Sequence, residues 1–349
     1  MKPSSHESCA AHKKNFSTDS KRLKRRFITI PSLIIVTILL TLLMPVIIAV
    51  SFVVDLFRRY SFSTIRTCIS IWLFLWLELI FLFISGWVWI KYKFTSSQKE
   101  KDYALTNRKI QKNFCKIYIP FVLKIFRAKI NFHGKEHLES CKPSVMFTRH
   151  VSLIDTFIPV FSLYSLSKNK WPRYVLKAEL LNDPLFDVVG NRFPNVFIRR
   201  GKGLSETETT RILNLRNTME ENETLVIFPE GTRFTPKKRK KLIKHSQKNG
   251  KKDLFKYASS LKATLPPLTK GSMALLSESV KYDLVVLAHR GFENVVTIWD
   301  LFKGSLIDKT IDIMITKYSF EEIPKDEDEK KLFLMNIWKK VDNYALNKS

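Results

Sequence analysis

Acidic residues are scarce in this sequence: 32 Asp and Glu stand against 59 Lys and Arg, a formal net charge of +27. An excess of that size implies an anionic partner, either nucleic acid or an anionic membrane surface. Cysteine is scarcer still. The four cysteines, Cys9, Cys68, Cys115 and Cys141, fall at no metal-binding or redox spacing. That excludes a disulfide framework and a zinc site and reads as free thiols in a reducing compartment. No internal repeat is present. The dense basic stretch 237–252 has no interleaved aromatic residue on which bases could stack. Attraction to lipid headgroups, at about 1 kcal/mol per basic residue near an anionic surface, accounts for it more simply than RNA does. The expected partner is therefore a phospholipid membrane and no nucleic acid.

Apolar sequence, by contrast, is gathered in the first quarter. Residues 1–26 are polar, basic and aperiodic and read as a disordered tail. Residues 27–54 are almost continuously apolar, long enough to cross a ~30 Å hydrocarbon core at ~1.5 Å per helical residue. They are too long for the apolar core of a signal peptide, and no small-residue cleavage site follows. Asp55, Arg58, Arg59 and Arg66 read as a short polar loop. A second apolar run, 68–90, carries Trp72, Trp76, Trp87 and Trp89, several of them placed for an interfacial belt. The two runs make a helical hairpin over 27–92. Its basic flanks (Lys21 to Arg26, then Lys91 and Lys93) put both ends on the cytoplasmic face, of a bacterial inner membrane or the endoplasmic reticulum. Pro45 would kink the first helix, which leaves open a pair that dips into one leaflet. Glu78, midway along the second run, is expected to pair with a polar group on the first helix or to stay protonated.

From residue 93 onward the composition turns soluble, and 93–349 reads as one domain with a basic insertion at 237–252. Apolar strands at 129–133, 144–147, 173–176, 194–198, 225–228 and 284–288 alternate with helices at 154–166, 205–219 and 273–279. Such alternation predicts an α/β fold with a largely parallel or mixed sheet.

Two constellations could carry chemistry. The first is His150-Val151-Ser152-Leu153-Ile154-Asp155, at the C-terminal end of an apolar strand, where α/β sites usually sit. The spacing lets the Asp155 carboxylate fold back onto one imidazole nitrogen, fixing the tautomer while the other nitrogen takes a proton. By itself the pattern is weak: with 7 histidines, a His-x4-Asp pair arises by chance about one time in three at the usual Asp frequency. The second is Leu225-Val226-Ile227-Phe228-Pro229-Glu230-Gly231-Thr232-Arg233, a buried strand running into a turn that presents Glu230 and Arg233 at its tip. An Arg fork suits a phosphate. Of the other histidines, His133, His137, His245 and His289 have no acid at useful spacing. His289, ending a core strand, is the one that could reach a site edge.

Together these residues resemble the glycerophospholipid acyltransferase family, whose type members are 1-acyl-glycerol-3-phosphate acyltransferases. Four family motifs occur in order: Arg149-His150 to Asp155 (H-x4-D), Phe197-Ile198-Arg199-Arg200 (F-I-x-R), FPEGTR at 228–233, and Pro267-Leu268-Thr269-Lys270-Gly271. Lys177 with Glu179-Leu180 resembles a further Lys-x-Glu-Leu stretch. The resemblance covers roughly residues 93–300. It implies a glycerol-3-phosphate acyltransferase-like αβ domain behind the hydrophobic hairpin. Family members often have Asn or Ser where Arg149 stands, and an acidic or polar residue where Arg199 stands. The FPEGTR-F-T sequence with its long basic insertion resembles the branch containing lysocardiolipin and lysophosphatidylinositol acyltransferases. There the extra arginines either suit a more anionic headgroup or are solvated charges.

The resemblance further implies the roles. His150 is the general base on the acceptor hydroxyl and Asp155 orients it, while Glu230 positions the acceptor or arginine side chains. Arg200 and Arg233 hold the acceptor phosphate, with Gly231 and Lys177 completing the binding set. The acyl donor is an acyl thioester, acyl-CoA or acyl carrier protein, and neither cofactor nor metal is needed. The competing readings are a non-catalytic polybasic membrane tether and a nucleic-acid-binding membrane protein.

Overall fold

The computed structural model describes residues 21–59, 61–94, 100–138, 143–167, 169–199, 205–277 and 281–347. In chain order the elements are α1 (Arg22–Arg58), α2 (Ser63–Lys93), α3 (Glu100–Ile125), β1 (Lys129–His133), β2 (Ser144–Thr148), α4 (Phe157–Leu166), β3 (Trp171–Lys177), α5 (Pro184–Val189), β4 (Val196–Ile198), α6 (Glu206–Asn217), β5 (Glu223–Ile227), α7 (Pro236–Lys248), α8 (Lys252–Ser260), α9 (Thr269–Leu275), β6 (Asp283–Arg290), α10 (Ile298–Phe302), β7 (Thr310–Tyr318) and α11 (Glu327–Ala345). They form two compact units: residues up to 127 with 173–203 and 301–307, and residues 128–172, 204–300 and 308 onward.

The first unit holds the hairpin. α1 and α2 are both long and apolar enough to cross a membrane, at 37 and 31 residues. α1 begins at Arg22, so the basic residues expected in the tail are helical, and the helix runs on through Pro31 and Pro45. Arg25 and Arg26 both bind the buried Asp187 carboxylate of α5, at 2.8 and 2.9 Å. A partner ion explains why these residues are ordered: an unpaired carboxylate at a fully buried position would be costly. Residues 1–20 of the expected tail lie outside the described residues.

The polar loop between the runs is shorter than expected, because Asp55 belongs to the last turn of α1. Its carboxylate accepts the N–H groups of Thr64 and Ile65, both at 3.0 Å, and so caps the start of α2. Trp72 and Trp76 do not serve as a belt. Their indole N–H groups donate to Thr41 Oγ1 on α1, at 3.0 and 2.9 Å, while Trp87 and Trp89 remain exposed. Glu78 is buried, but its partner is not on α1: Oε1 accepts the Leu185 N–H at the start of α5, at 3.3 Å. α3 packs on α2 in a stretch where sequence showed only a change to soluble composition. In the same unit, residues 175–177 of β3 pair in parallel with β4.

The second unit is built on strands lying side by side in the order β1-β7-β6-β2-β5. All pairings are parallel except β6 with β7, giving the mixed α/β sheet that the sequence implied. β2 and β5 are buried at every residue and β6 at all but its last. That matches the apolar runs at their centres, 145–147, 225–227 and 284–288, and the burial of a strand covered on both faces. β7, an alternating strand absent from the sequence reading, pairs with β6 over Leu284–Arg290. Because β5, β2 and β6 run the same way in adjacent positions, the residues ending or following them meet at one edge.

Candidate active site

That edge gathers His150 after β2, Glu230 after β5 and His289 on β6. His150 Nδ1 lies 3.2 Å from Asp155 Oδ2, and the imidazole side chain is 12% exposed while the carboxylate is fully buried. The same Oδ2 accepts the Ser152 N–H at 2.6 Å and the Val151 N–H. The Asp155 carboxylate is thus held by its own loop as well as by the histidine. Burial alone would raise its pKa; the neighbouring His289, the His150 hydrogen bond and charge, and the Ser152 N–H together hold it below the ordinary value. An ionised Asp155 accepts from Nδ1–H, which leaves the lone pair of His150 on Nε2.

Glu230 is not displayed at a turn tip, as sequence suggested, but is 3% exposed. Its Oε1 accepts the His150 backbone N–H at 3.2 Å and its Oε2 accepts the Leu265 N–H at 2.8 Å. The backbone carbonyl of His150 receives the Phe234 N–H at 2.6 Å. The 228–234 segment therefore clamps the His150 backbone from both sides, and the Phe228 ring lies 4.5 Å from the imidazole. Burial pushes the Glu230 carboxyl up to about 8, against the opposing pull of the Leu265 N–H, Arg149 and the His150 N–H. Gly231 serves this turn by conformation: its φ is +64°, and a Cβ there would stand 2.3 Å from Leu268 Cδ1. The Pro267–Gly271 motif joins at the same place, with the Leu268 N–H donating to Pro229 O at 2.8 Å.

Arg149 proves to be neither a headgroup contact nor a solvated charge. It is fully buried, and its Nη1 donates to Glu293 Oε1 at 2.7 Å and His289 O at 2.6 Å. Nη2 donates to Ala263 O at 3.0 Å. Burial would raise the Glu293 carboxyl, but the Arg149 ion pair lowers it overall. The 262–265 segment, which supplies the Leu265 N–H, is fixed in turn by Asp342 of α11. That carboxylate accepts the Lys262, Ala263 and Thr264 N–H groups and the Thr264 hydroxyl, at 2.7–3.0 Å.

Sequence reasoning left His289 with no acid partner, since Asp155 is 134 residues away. It is fully buried, with Nε2 3.1 Å from Arg149 O and 3.5 Å from Asp155 Oδ1. Both neighbours of Nε2 are acceptors, so the ring proton sits on Nε2, and among the described residues Nδ1 has no hydrogen-bonding partner. Burial lowers the His289 pKa and keeps the ring neutral. Its place at the end of an apolar core strand was the only signal available beforehand.

Among the acceptor-binding candidates, Arg233 is partly buried and donates from Nη1 to Val296 O at 2.6 Å. Lys177 ends β3 in the other unit, and Arg200 lies outside the described residues. Among the described residues no group of three or more His, Cys, Asp and Glu side chains could hold a metal ion.

Residues 129–270 match the family model described as Acyltransferase. The chain is 29% identical over 123 residues to a 2-acyl-1-lysophosphatidylinositol acyltransferase of Saccharomyces cerevisiae, covering 34% of this chain and 31% of that protein. It is 27% identical over 172 residues to "Probable 1-acyl-sn-glycerol-3-phosphate acyltransferase 5" of Arabidopsis thaliana, covering 49% and 44%. The chain thus spans less than half the length of these relatives. A solved structure, the 1-acyl-sn-glycerophosphate (LPA) acyltransferase PlsC from Thermotoga maritima, superposes with a TM-score of 0.49 at 13% identity, covering 80% of this chain and 97% of that one. The H-x4-D and FPEGTR motifs, joined at one sheet edge, both lie inside the residues that match the Acyltransferase model.

Proposed function

We propose that the protein is a membrane-bound O-acyltransferase. It moves an acyl group from a thioester, acyl-CoA or acyl carrier protein, to the free hydroxyl of a lysophospholipid, foremost 1-acyl-glycerol-3-phosphate. The observation that carries the reading is the His150–Asp155 pair with its backbone clamped by Glu230 and Phe234. In the reaction His150 Nε2 takes the hydroxyl proton as the acceptor oxygen attacks the thioester carbonyl. The tetrahedral intermediate then expels the thiolate, which recovers that proton from the imidazolium. Asp155 stabilises the imidazolium, and Glu230 positions His150 through its N–H instead of touching the acceptor. Arg233 and Arg200 are assigned to the acceptor phosphate, with Lys177 in the same set by family resemblance. Gly231 contributes the turn that carries Glu230 and Arg233.

The α1–α2 hairpin supports the membrane assignment, with both ends and the catalytic unit on the cytoplasmic side. A lysophosphatidylinositol acceptor is the second reading, favoured by similarity to the yeast relative. Full-length protein in lipid nanodiscs, offered a panel of lysophospholipids with labelled acyl-CoA, tests both. Transfer to 1-acyl-glycerol-3-phosphate above all others is expected; preference for lysophosphatidylinositol would move the assignment, and no transfer to any acceptor would sink it.

His289 is a positioning residue in this scheme. Its neutral Nε2–H donates to the Arg149 carbonyl at 3.1 Å and stands 3.5 Å from Asp155 Oδ1, the oxygen that His150 does not use; the charged groups around it are Asp155, Arg149 and Glu293. Removing that donor leaves the carboxylate more basic, and so raises the pKa of the His150 imidazolium paired with it. His289→Phe is expected to lower kcat about tenfold, because it leaves the Arg149 carbonyl next to His150 without its donor and removes an N–H dipole from beside Asp155. It also moves the acid limb of the kcat/KM profile to higher pH, which a purely structural role would leave in place. His289→Gln, retaining an N–H donor, restores most of both.

A further inference from the structure

The basic insertion folds as α7, and its charges are sorted by face. Lys237, Lys240, Lys241, Lys244 and Lys248 are all exposed. At 3.6 residues per turn they occupy an arc of about 100° along roughly 16 Å of helix axis. The opposite face carries Arg239, Leu242, Ile243 and the buried Ser246, and it is the packed side: Arg239 Nη2 donates to Ser259 O at 2.9 Å, and its Nε donates to Leu261 O. No acidic residue occurs between Glu230 and Asp253, and among the described residues none of the five lysines is paired with a carboxylate. Like charges at i,i+3 and i,i+4 spacing repel, so the stripe is destabilising until something anionic lies along it.

The helix is also fastened to the catalytic loop. Thr235 caps its N-terminus, and Lys238 Nζ donates to Thr232 Oγ1 at 2.7 Å and to Arg233 O at 3.0 Å. The next residue of that loop, Phe234, donates to the His150 carbonyl. Whatever the stripe rests on therefore sets the height of the His150 loop above it.

We propose that the lysine face of α7 docks on the anionic headgroup layer of a phospholipid membrane and holds the active-site loop at the level where a lysophospholipid exposes its hydroxyl. The inference rests on the membrane-bound acyltransferase reading and adds the surface and its lipid chemistry. Lysines are compact point charges that bind a diffuse anionic layer without needing bidentate geometry. The helix carries no Phe, Tyr or Trp for stacking bases.

The test compares full-length protein in nanodiscs of phosphatidylcholine alone and of phosphatidylcholine with one-third phosphatidylserine, with lysine acetylation rates read by mass spectrometry. Acetylation of the five lysines is expected to slow about fivefold or more in the anionic discs. Exposed Lys331 and Lys339 of α11 should be unchanged. About 0.5 M salt, where screening confines fields to roughly 4 Å, should erase the difference. Replacing all five lysines by glutamine should lower kcat/KM about tenfold in anionic discs and leave it unchanged in detergent micelles. Equal acetylation in both discs, in protein that transfers acyl groups, overturns the docking and leaves the enzyme reading standing. Protection that instead requires added acidic carrier protein or RNA also overturns it. A chain that enters neither disc overturns the membrane assignment and the docking with it, and one inactive even in detergent fails as an enzyme.

Discussion

Replacing His150 by alanine is expected to lower kcat by about 10²–10⁴, the range a positioned general base supplies, with little change in KM. In the proposed reaction the attacking group is an alcohol, far too weakly acidic to present an alkoxide at neutral pH, so its proton would have to leave as the carbon–oxygen bond forms. His150 is arranged for that: Asp155 Oδ2 at 3.2 Å from Nδ1 leaves the lone pair on Nε2. Its side chain remains 12% exposed, enough for a substrate to reach, at a position otherwise walled by buried groups. Asp155→Asn is expected to fall almost as far, for two reasons. It removes the charge that stabilises the imidazolium, and it sets an amide where one oxygen now accepts the Val151 and Ser152 N–H groups as well as the histidine. Steady-state turnover in nanodiscs, with melting temperature as the folding control, reads both. Near-wild-type kcat in a folded His150→Ala protein would remove the base from the mechanism.

How much of this was legible beforehand depended on whether a residue's partners lie close in sequence. β2, β5 and β6 could be read because the middle of a strand buried on both faces is a continuous apolar run, with the polar residues kept to its ends. The His150–Asp155 contact was legible because five residues of loop suffice to close it. Arg149, Glu230 and His289 were misread or left without a role, and for one reason: each binds groups 35–144 residues away. A buried arginine and a solvated one look identical until Glu293 is placed beside it. The helical start at Arg22 was hidden in the same way, since Asp187, the carboxylate that Arg25 and Arg26 bind, is more than 160 residues further on. The charge stripe of α7 needed only the helix, and its period was present in the sequence, hidden inside what read as an undifferentiated basic run.

Glu230→Ala is expected to reduce kcat about 10²-fold, the scale on which a displacement near 1 Å of a reacting group is felt. The substitution leaves the His150 and Leu265 N–H groups buried without acceptors and should cost about 2–4 kcal/mol of stability. Glu230→Gln is no rescue: both carboxyl oxygens accept a backbone N–H, so the amide nitrogen would face one of those donors. The pH dependence separates this reading from simple loss of packing. With its pKa raised to about 8 by burial, the folded protein holds a Glu230 proton that the unfolded chain releases near the ordinary value of 4.5. Between those limits the native state binds one more proton than the unfolded state, so this group's contribution to stability falls as pH rises, by up to about 1.4 kcal/mol per pH unit. The contribution is full below pH 4.5 and gone once pH passes the folded value. The melting temperature of wild-type protein is therefore expected to fall more steeply from pH 5 to 8 than that of Glu230→Ala, and the two curves should run parallel above that. Parallel curves across the whole range would mean that Glu230 is ionised at neutral pH, and that the clamp on His150 is held by a carboxylate and not by a neutral acid.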